Sequence, residues 1–466
     1  MKSSPFELLV SAFLGAVGVA ALAFWIAADA APELAARVPG TDRPPDSAVP
    51  ERPAEPVVGT LVPGEGQPAD LPGGWPRFRG AAFDAVSTED DPLRRGFGGS
   101  GPETHWSIEV GEGYAAAAVL DGLVYVMDYD RENQADALRC LSLADGREIW
   151  RFTYPVVIRR NHGMTRTVPA VTEDYVVGFG PMGHISCLDA QSGQEKWLID
   201  LTEKYNTSVP QWYSGQCPLI DGNRVILAPG GDHLMVALDA ESGEEIWASG
   251  NPYGWRMTHT SVMPMEVAGR RMFVYAASGG VVGVCAESGE ILWSTDAWRI
   301  TIATCPSPLV LGDGRLFLSG GYNAGAMMLE IREEGDGFAA EVLYRLDAAR
   351  FGSTHHTPVY YEGHIFGVRE RDRQLVCLDL DGNEVWASGA QYRFGMGPYM
   401  IADGLILLMD DHALLTIAEA TAEAFRPLDQ AQILDGFEAW GPMALAGGRL
   451  ILRDFDTMVC LDMSAP

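Results

Sequence analysis

Positive charge is scarce in this chain. Lys plus Arg number 33 against 63 Asp plus Glu, a net charge of −30. Such a field repels phosphate backbones and argues against a nucleic-acid partner. Short catalytic motifs are also missing. No phosphate-cradling glycine loop, zinc motif or hydrolase elbow stands at a usable spacing. The Cys count is an odd seven, with no Cys-x-x-Cys and no adjacent pair. That argues against a disulfide framework, which belongs mainly to small secreted chains. No Cys lies in the first 100 residues, so a lipid anchor on an N-terminal Cys is not expected.

What is present in abundance is repetition. Cys187 to Trp197 reads CLDAQSGQEKW, a strand end, a tight turn at Ser192-Gly193 and a second strand ending in Trp. Variants recur as CLSLADGREIW from Cys140, ALDAESGEEIW from Ala237, GVCAESGEILW from Gly283 and CLDLDGNEVW from Cys377. A motif recurring at this interval signals a repeat architecture. Each unit adds an inner strand marked by Pro, a turn that is often Asp-Gly, and a strongly apolar second strand. The result is a four-stranded meander. The Pro residues are Pro169, Pro218, Pro264, Pro308, Pro358, Pro398 and Pro442. An earlier unit, at Ala116 to Val126, lacks the Pro and brings the units to eight. Second strands this apolar have both faces covered, as in a propeller where each blade lies between two others.

The eighth unit ends at Val459 to Met463 without a fourth strand. Thr104 to Val110, with Trp106 where fourth strands carry Trp, precedes the first unit and is predicted to complete the last blade. Closure of this kind removes exposed edges. The fifth and seventh units lack the turn motif, and Tyr344 and Phe425 are predicted to stand at the Trp position. The turn glycines are expected to take a positive φ, and the Trp residues to pack between blades. Cys140, Cys187, Cys377 and Cys460 occupy equivalent places and are expected to pack as small apolar residues.

The fold expected is therefore all-β, an eight-bladed β-propeller of four-stranded antiparallel blades over residues 74–466. Before it, residues 1–28 contain the apolar run Leu8 to Ala28, long enough for one transmembrane helix. Lys2 lies before the run and acidic residues follow, which places the rest of the chain outside the cytoplasm. A cleaved signal peptide is the rival, and an uncleaved signal anchor is favoured because the run exceeds a signal core. Residues 29–73 are rich in Pro and lack apolar periodicity, and read as a flexible, disordered linker.

The stretches LDAQSGQEKW and LDAESGEEIW resemble the repeats of pyrroloquinoline quinone-type β-propellers, the quinoprotein alcohol dehydrogenase-like fold. Trp75 to Gly80, WPRFRG, resembles a lead-in of exported bacterial propellers of that superfamily. The resemblance covers residues 74–466. It implies one of two functions. Non-enzymatic envelope propellers bind protein partners, whereas quinoprotein dehydrogenases oxidise alcohols or sugars with the quinone (PQQ) and a calcium-type ion. The chain is short for the enzymes and lacks the adjacent-Cys pair of many of them, and no catalytic residue carries over.

A site is expected at the mouth of the central channel, where inner strands begin. Four residues before each Pro stand Thr165, Ser214, Thr260, Thr304 and Thr354, then Phe394 and Glu438. These hydroxyls either satisfy strand-end backbone or line a polar channel. Around them lie basic and aromatic residues, with Arg166, Trp212, Arg256, His259, His355, His356 and Arg393 as the binding candidates. Arg159, Arg160, His162, Tyr213, Tyr392 and Trp440 surround them. Arg forks suit carboxylates and indoles offer flat surfaces, so a small acidic ligand or an acidic protein loop fits such a mouth. No metal is expected, because neighbours in a strand such as His355 and His356 point to opposite faces. The favoured reading is a membrane-tethered scaffold for an envelope protein partner. The alternative is the quinone-dependent oxidoreductase.

Overall fold

The protein is described by a computed structural model at residues 16–20 and 57–466, residue 336 excepted. Residues 57–466 form a ring of eight antiparallel sheets in sequence order. Each sheet repeats one meander, seen in blade three as Leu219–Asp221, Arg224–Leu227, His233–Asp239 and Glu245–Gly250. The eighth blade has Ala444–Ala446, Arg449–Arg453 and Thr457–Asp462 from the C-terminus. Its outer strand is Thr104–Glu109, with Trp106 opposite Cys460. The ring closes as the sequence predicts.

The Trp residues sit between blades. The ring of Trp197 lies against Gly243 of the next blade, where a Cβ would approach it to 2.8 Å at a φ of +70°. Its indole N–H donates to the Ala240 carbonyl of that turn at 2.9 Å. Trp106, Trp150 and Trp386 donate to the following turn in the same way. Opposite each Trp in the third strand stands a small residue: Cys140, Cys187, Ala237, Gly283, Cys377 and Cys460. Blade four shows why. A Cβ on Gly283 would come within 2.1 Å of Trp293. The cysteines therefore supply bulk of the right size, and all seven are free thiols.

Blades five and seven replace this device. In blade five Tyr344 pairs with Met328 and rests on Gly382 of the next turn. In blade seven the position belongs to Asp429, opposite Ile417. Phe425 does not take the Trp place. It packs back onto Trp386 at 5.8 Å and Tyr392 at 5.1 Å. Where the indole is absent, the facing residue grows to Met or Ile and fills its volume.

The segment before the first blade differs from expectation where it is described. The notional linker to residue 73 is not free over its described part. Thr60–Pro63 adds a fifth strand to the outer edge of blade one, from Thr60 opposite Thr153 to Pro63 opposite Trp150. Gly64 and Gly66 continue the pairing through their N–H groups, so the described part of this segment belongs to the compact unit. Strand addition satisfies backbone groups without any apolar periodicity, which is why composition hid it. Residues 29–56 lie outside the described residues. So does the predicted transmembrane run Leu8 to Ala28, save residues 16–20, which are helical. Among the described residues no helix is long and apolar enough to cross a membrane.

The WPRFRG segment crosses the central channel. Trp75 pairs with Val119 of blade one, and the Pro76 carbonyl accepts from Val171 of blade two. Arg79 then reaches the far side, donating to the Thr357 and Pro358 carbonyls of blade six at 2.8 and 2.9 Å. It also donates to Phe83 and Asp84. Val86 bridges Ile401 of blade seven. A segment that touches inner strands on opposite sides of the ring must span the channel. It turns a through-hole into a pocket with a floor.

Candidate functional site

In a four-stranded meander the first strand begins, and the second ends, at one end of the ring. The loops into the first strands and the hairpins between second and third strands therefore share that end. They enclose a cavity of about 500 Å³, floored by Phe78 of the channel-crossing segment.

Of the candidates, Arg166, Trp212, His259, His355 and His356 line the cavity, as do His162, Thr354 and Trp440. Arg256 and Arg393 do not. Both are exposed, and the backbone of Arg256 is held away by Gly230 and Ser278. Strand-entry loops have an inner and an outer limb, and these two arginines lie on the outer one. Arg160 is paired with Glu112, while Tyr213 donates its hydroxyl to the Arg159 carbonyl. The hydroxyl ring divides. Thr260 donates to the Ala276 carbonyl at 3.0 Å, Thr165 and Ser214 are buried with unpartnered oxygens, and Thr354 faces the cavity.

Sequence reading missed Tyr114, Cys305, Tyr322, Glu370, Arg373 and Asp411. Four of these come from the hairpins between second and third strands: Tyr322, Glu370, Arg373 and Asp411. Strand direction alone would have brought those hairpins into the search.

The aromatic wall starts at blade one. Gly113 bridges Thr165 in parallel, which sets Tyr114 and Arg166 side by side. Tyr114 stacks on Trp440 at 5.2 Å and 25°, and its phenol donates to Glu438. The Arg166 guanidinium lies 5.5 Å from the Tyr114 ring and 5.8 Å from Tyr213. Burial, only partly opposed by nearby phenols, draws its pKa down to about 10. It remains a cation.

Three histidines are held neutral. Burial lowers His259 and His355 to about 4, aided by the Arg166 charge. Burial and His355 lower His356 to about 3. His356 and His355 sit in a bend before the strand rather than within it, so both reach the cavity. The alternation argument applied to them therefore fails.

The carboxylates are engaged. Asp411 accepts from the Trp440 indole and the Met396 N–H, each at 2.8 Å, and lies 3.5 Å from Arg373. Glu370 accepts from the N–H groups of Tyr322 and Asn323. Among the described residues no three His, Cys, Asp or Glu are disposed to hold a metal. The ion of a quinone dehydrogenase needs converging, unengaged carboxylate oxygens. Glu370 has both oxygens on backbone N–H groups, and Asp411 keeps only Oδ2, beside Arg373.

The backbone here is strained. His162, Trp212, Tyr213, Tyr322, Asn323, Arg373 and Glu438 all have φ between +49° and +73°. Each such residue costs about 1–3 kcal/mol unless its surroundings enforce it. Glu370 enforces two of them, through Tyr322 and Asn323.

A family model described as outer membrane protein assembly factor BamB matches residues 134–388, more than half of the chain. The chain belongs to this family. A relative of the same name from Moranella endobia (strain PCIT) is 22% identical over 267 residues, or 54% of this chain. The match spans 64% of that relative, less than two thirds of its length. Among solved structures, BamB from Moraxella catarrhalis superposes with a TM-score of 0.53 at 15% identity, covering 77% of this chain and 97% of that one. A europium-containing methanol dehydrogenase superposes at 0.57 with 13% identity, covering 82% and 89%. At these identities the likeness to both structures is one of fold. The propeller fold is thus common to a protein named as an assembly factor and to one named as an enzyme, and the site must separate them.

Proposed function

We propose that this chain is a non-catalytic binding scaffold of the bacterial envelope. Its propeller sits outside the cytoplasm, tethered through the N-terminal apolar segment, and presents its loop-bearing mouth to a protein partner. The observation that carries this reading is the state of Asp411 and Glu370. Both Glu370 oxygens accept backbone N–H groups of one hairpin, Asp411 Oδ1 accepts the Met396 N–H and the Trp440 indole, and Asp411 Oδ2 faces Arg373. Carboxylates used this way fix the shape of the loops around them.

Two further features support it. The family's description is that of an outer membrane protein assembly factor. Around the mouth, Val157, Tyr253, Ile302 and Phe437 are exposed in the loops leading to first strands. Exposed apolar residues gathered at one end suit a protein contact.

The test is capture from detergent-solubilised envelope by the tagged full chain, with the captured partner quantified. A stoichiometric protein is expected, and the double change Tyr253→Asp, Phe437→Asp should lower its recovery about tenfold. The opposite result would be no stoichiometric partner, together with a quinone absorbance band and dye-linked alcohol oxidation after reconstitution with the quinone and calcium. That outcome would move the chain to the oxidoreductase reading.

A further inference from the structure

Arg166 stands at the cavity without a counter-ion. Its guanidinium donates to the Asn161, His162 and Gly163 carbonyls and faces two phenol rings. No ion pair joins it to a carboxylate among the described residues. In a chain of net charge −30 this is unusual, since a partly buried cation is normally paired. The nearby acids are already engaged: Glu438 by Tyr114, Asp411 by Trp440 and Met396, Glu370 by two backbone groups.

Besides Arg166, His355 and the Thr354 hydroxyl line the cavity with no hydrogen-bond partner among the described residues, and both can donate. Arg166 can only donate, so a group set against it must supply acceptors. Two indoles also line it, Trp212, and Trp440 with one face covered by Tyr114. Trp212 is held at a φ of +68°, a strained backbone that keeps its ring at the mouth. The enclosed volume of about 500 Å³ suits a group of one or two rings.

We infer that the cavity binds an organic carboxylate carried on an aromatic ring, the carboxylate against Arg166 and the ring against the Trp212 and Trp440 indoles. The fork of Arg gives a carboxylate two parallel donors, and His355 and Thr354 supply further ones. The group has two sources, a free aromatic acid or the C-terminal carboxylate of a protein chain ending in an aromatic residue. The inference does not depend on the scaffold reading, because a pocket for a free acid serves a scaffold or an enzyme alike.

The test uses the detergent-solubilised full chain and calorimetric titration with four probes. They are indole-3-acetate, its amide, the peptide Gly-Gly-Trp with a free C-terminus, and the same peptide amidated. At least one acid should bind tenfold or more tightly than its amide. Arg166→Gln should abolish that preference, whereas Arg256→Gln and Arg393→Gln, both outside the cavity, should preserve it. If Arg166→Gln does not fold, Ala303→Phe replaces it, because it fills the cavity and leaves the cation in place. It should remove binding of every probe. Preference for indole-3-acetate identifies a free acid as the source, and preference for the free peptide identifies a chain terminus. Equal binding of acid and amide in the unaltered protein overturns the inference. So does the absence of binding below about 10 mM, or an acid preference that survives Arg166→Gln. Partner capture is read separately, so either proposal can fail while the other stands.

Discussion

The two ends of the ring are built from the same strands and obey different rules. At the turn end, Gly146, Gly193, Gly243 and Gly289 take φ near +70° where glycine bears it without strain. Each turn receives the Trp of the preceding blade. At the mouth, positive φ falls on His162 and Asn323, which tolerate it, and on Trp212, Tyr213 and Tyr322, bulky residues for which it is costly. One end is a repeated solution to packing. Positive φ at the turn end also falls on Asp121, Ala268, Asp313, Glu362 and Asp403, always the residue before Gly in a hairpin from first to second strand, whereas at the mouth its place differs from loop to loop. The contrast supports a site at the mouth more than any single residue there does.

The sharpest way to break the comparison is to remove a Trp from each end. Trp197→Ala deletes a buried indole and the N–H that satisfies Ala240. It should cost about 3–5 kcal/mol, read from the urea midpoint. Trp212→Gly at the mouth should change stability by less than about 1 kcal/mol, because release of the left-handed backbone offsets the lost packing. Equal costs at both ends would refute the division of labour.

The turn end was legible because its constraints are local. A Gly after Ser or Asp and a Trp four residues later lie within one turn and one strand, and the period exposed them. Even there Phe425 was misplaced, since register is set by the pairing of Ile417 with Asp429, which no local pattern reveals. At the mouth, each loop contributes through its geometry to the cavity as a whole. Arg166 and Arg393 look alike in sequence, and only the inward and outward limbs of their loops separate them. Strand Thr60–Pro63 stayed hidden for a related reason. Its partner lies some 90 residues away, and it buries backbone rather than side chains, leaving all four residues exposed.

The channel-crossing segment joins the two ends, and Arg79 secures it. Arg79→Met keeps the bulk of the stem but leaves the carbonyls of Phe83, Asp84, Thr357 and Pro358 without their donor. A loss of about 3 kcal/mol is expected in the same urea assay. The mouth should feel it too, because Phe78 floors the cavity one residue away. Any carboxylate binding should weaken in parallel, which Trp197→Ala should not cause in the folded protein.

Acid separates the ends in another way. The mouth histidines have folded values of about 4 for His259 and His355 and about 3 for His356, below an unfolded value of about 6.5. The unfolded chain takes up the protons first. Stability from these groups is therefore whole above pH ~6.5 and falls as pH drops toward about 4. At the turn end, Asp189 is lowered by the Ser192 hydroxyl and N–H, and Asp239 by the Ser242 N–H and hydroxyl. Their contribution is present above about pH 4 and fades only below it. Asp136, buried in blade one, works in the opposite sense. Burial raises it to about 8, so its contribution is lost as pH rises toward that value. Comparing the unaltered protein with His355→Gln cancels Asp136. Between pH 7 and 5 the variant should lose about 1–2 kcal/mol less. A difference appearing only below pH 4 would assign the acid response to the turns instead.

The smallest effect expected lies at the strand on the edge of blade one. Gly64 follows it, and a Cβ there would meet the Glu148 carbonyl at 2.0 Å, so Gly64→Val should lift the strand's end from the sheet. Leu61 then leaves Gly193, which it now covers near the Trp150 ring. The ring itself keeps its closure through Thr104–Glu109. The urea midpoint should therefore fall by no more than about 1 kcal/mol, while cleavage by a broad protease between residues 57 and 66 should quicken several-fold. A four-residue exposed pairing is the kind of structure that opens locally, before the sheet it rests on. A fall as large as that of Trp197→Ala would instead make this strand part of the turn-end framework, and the first blade would need five strands to stand.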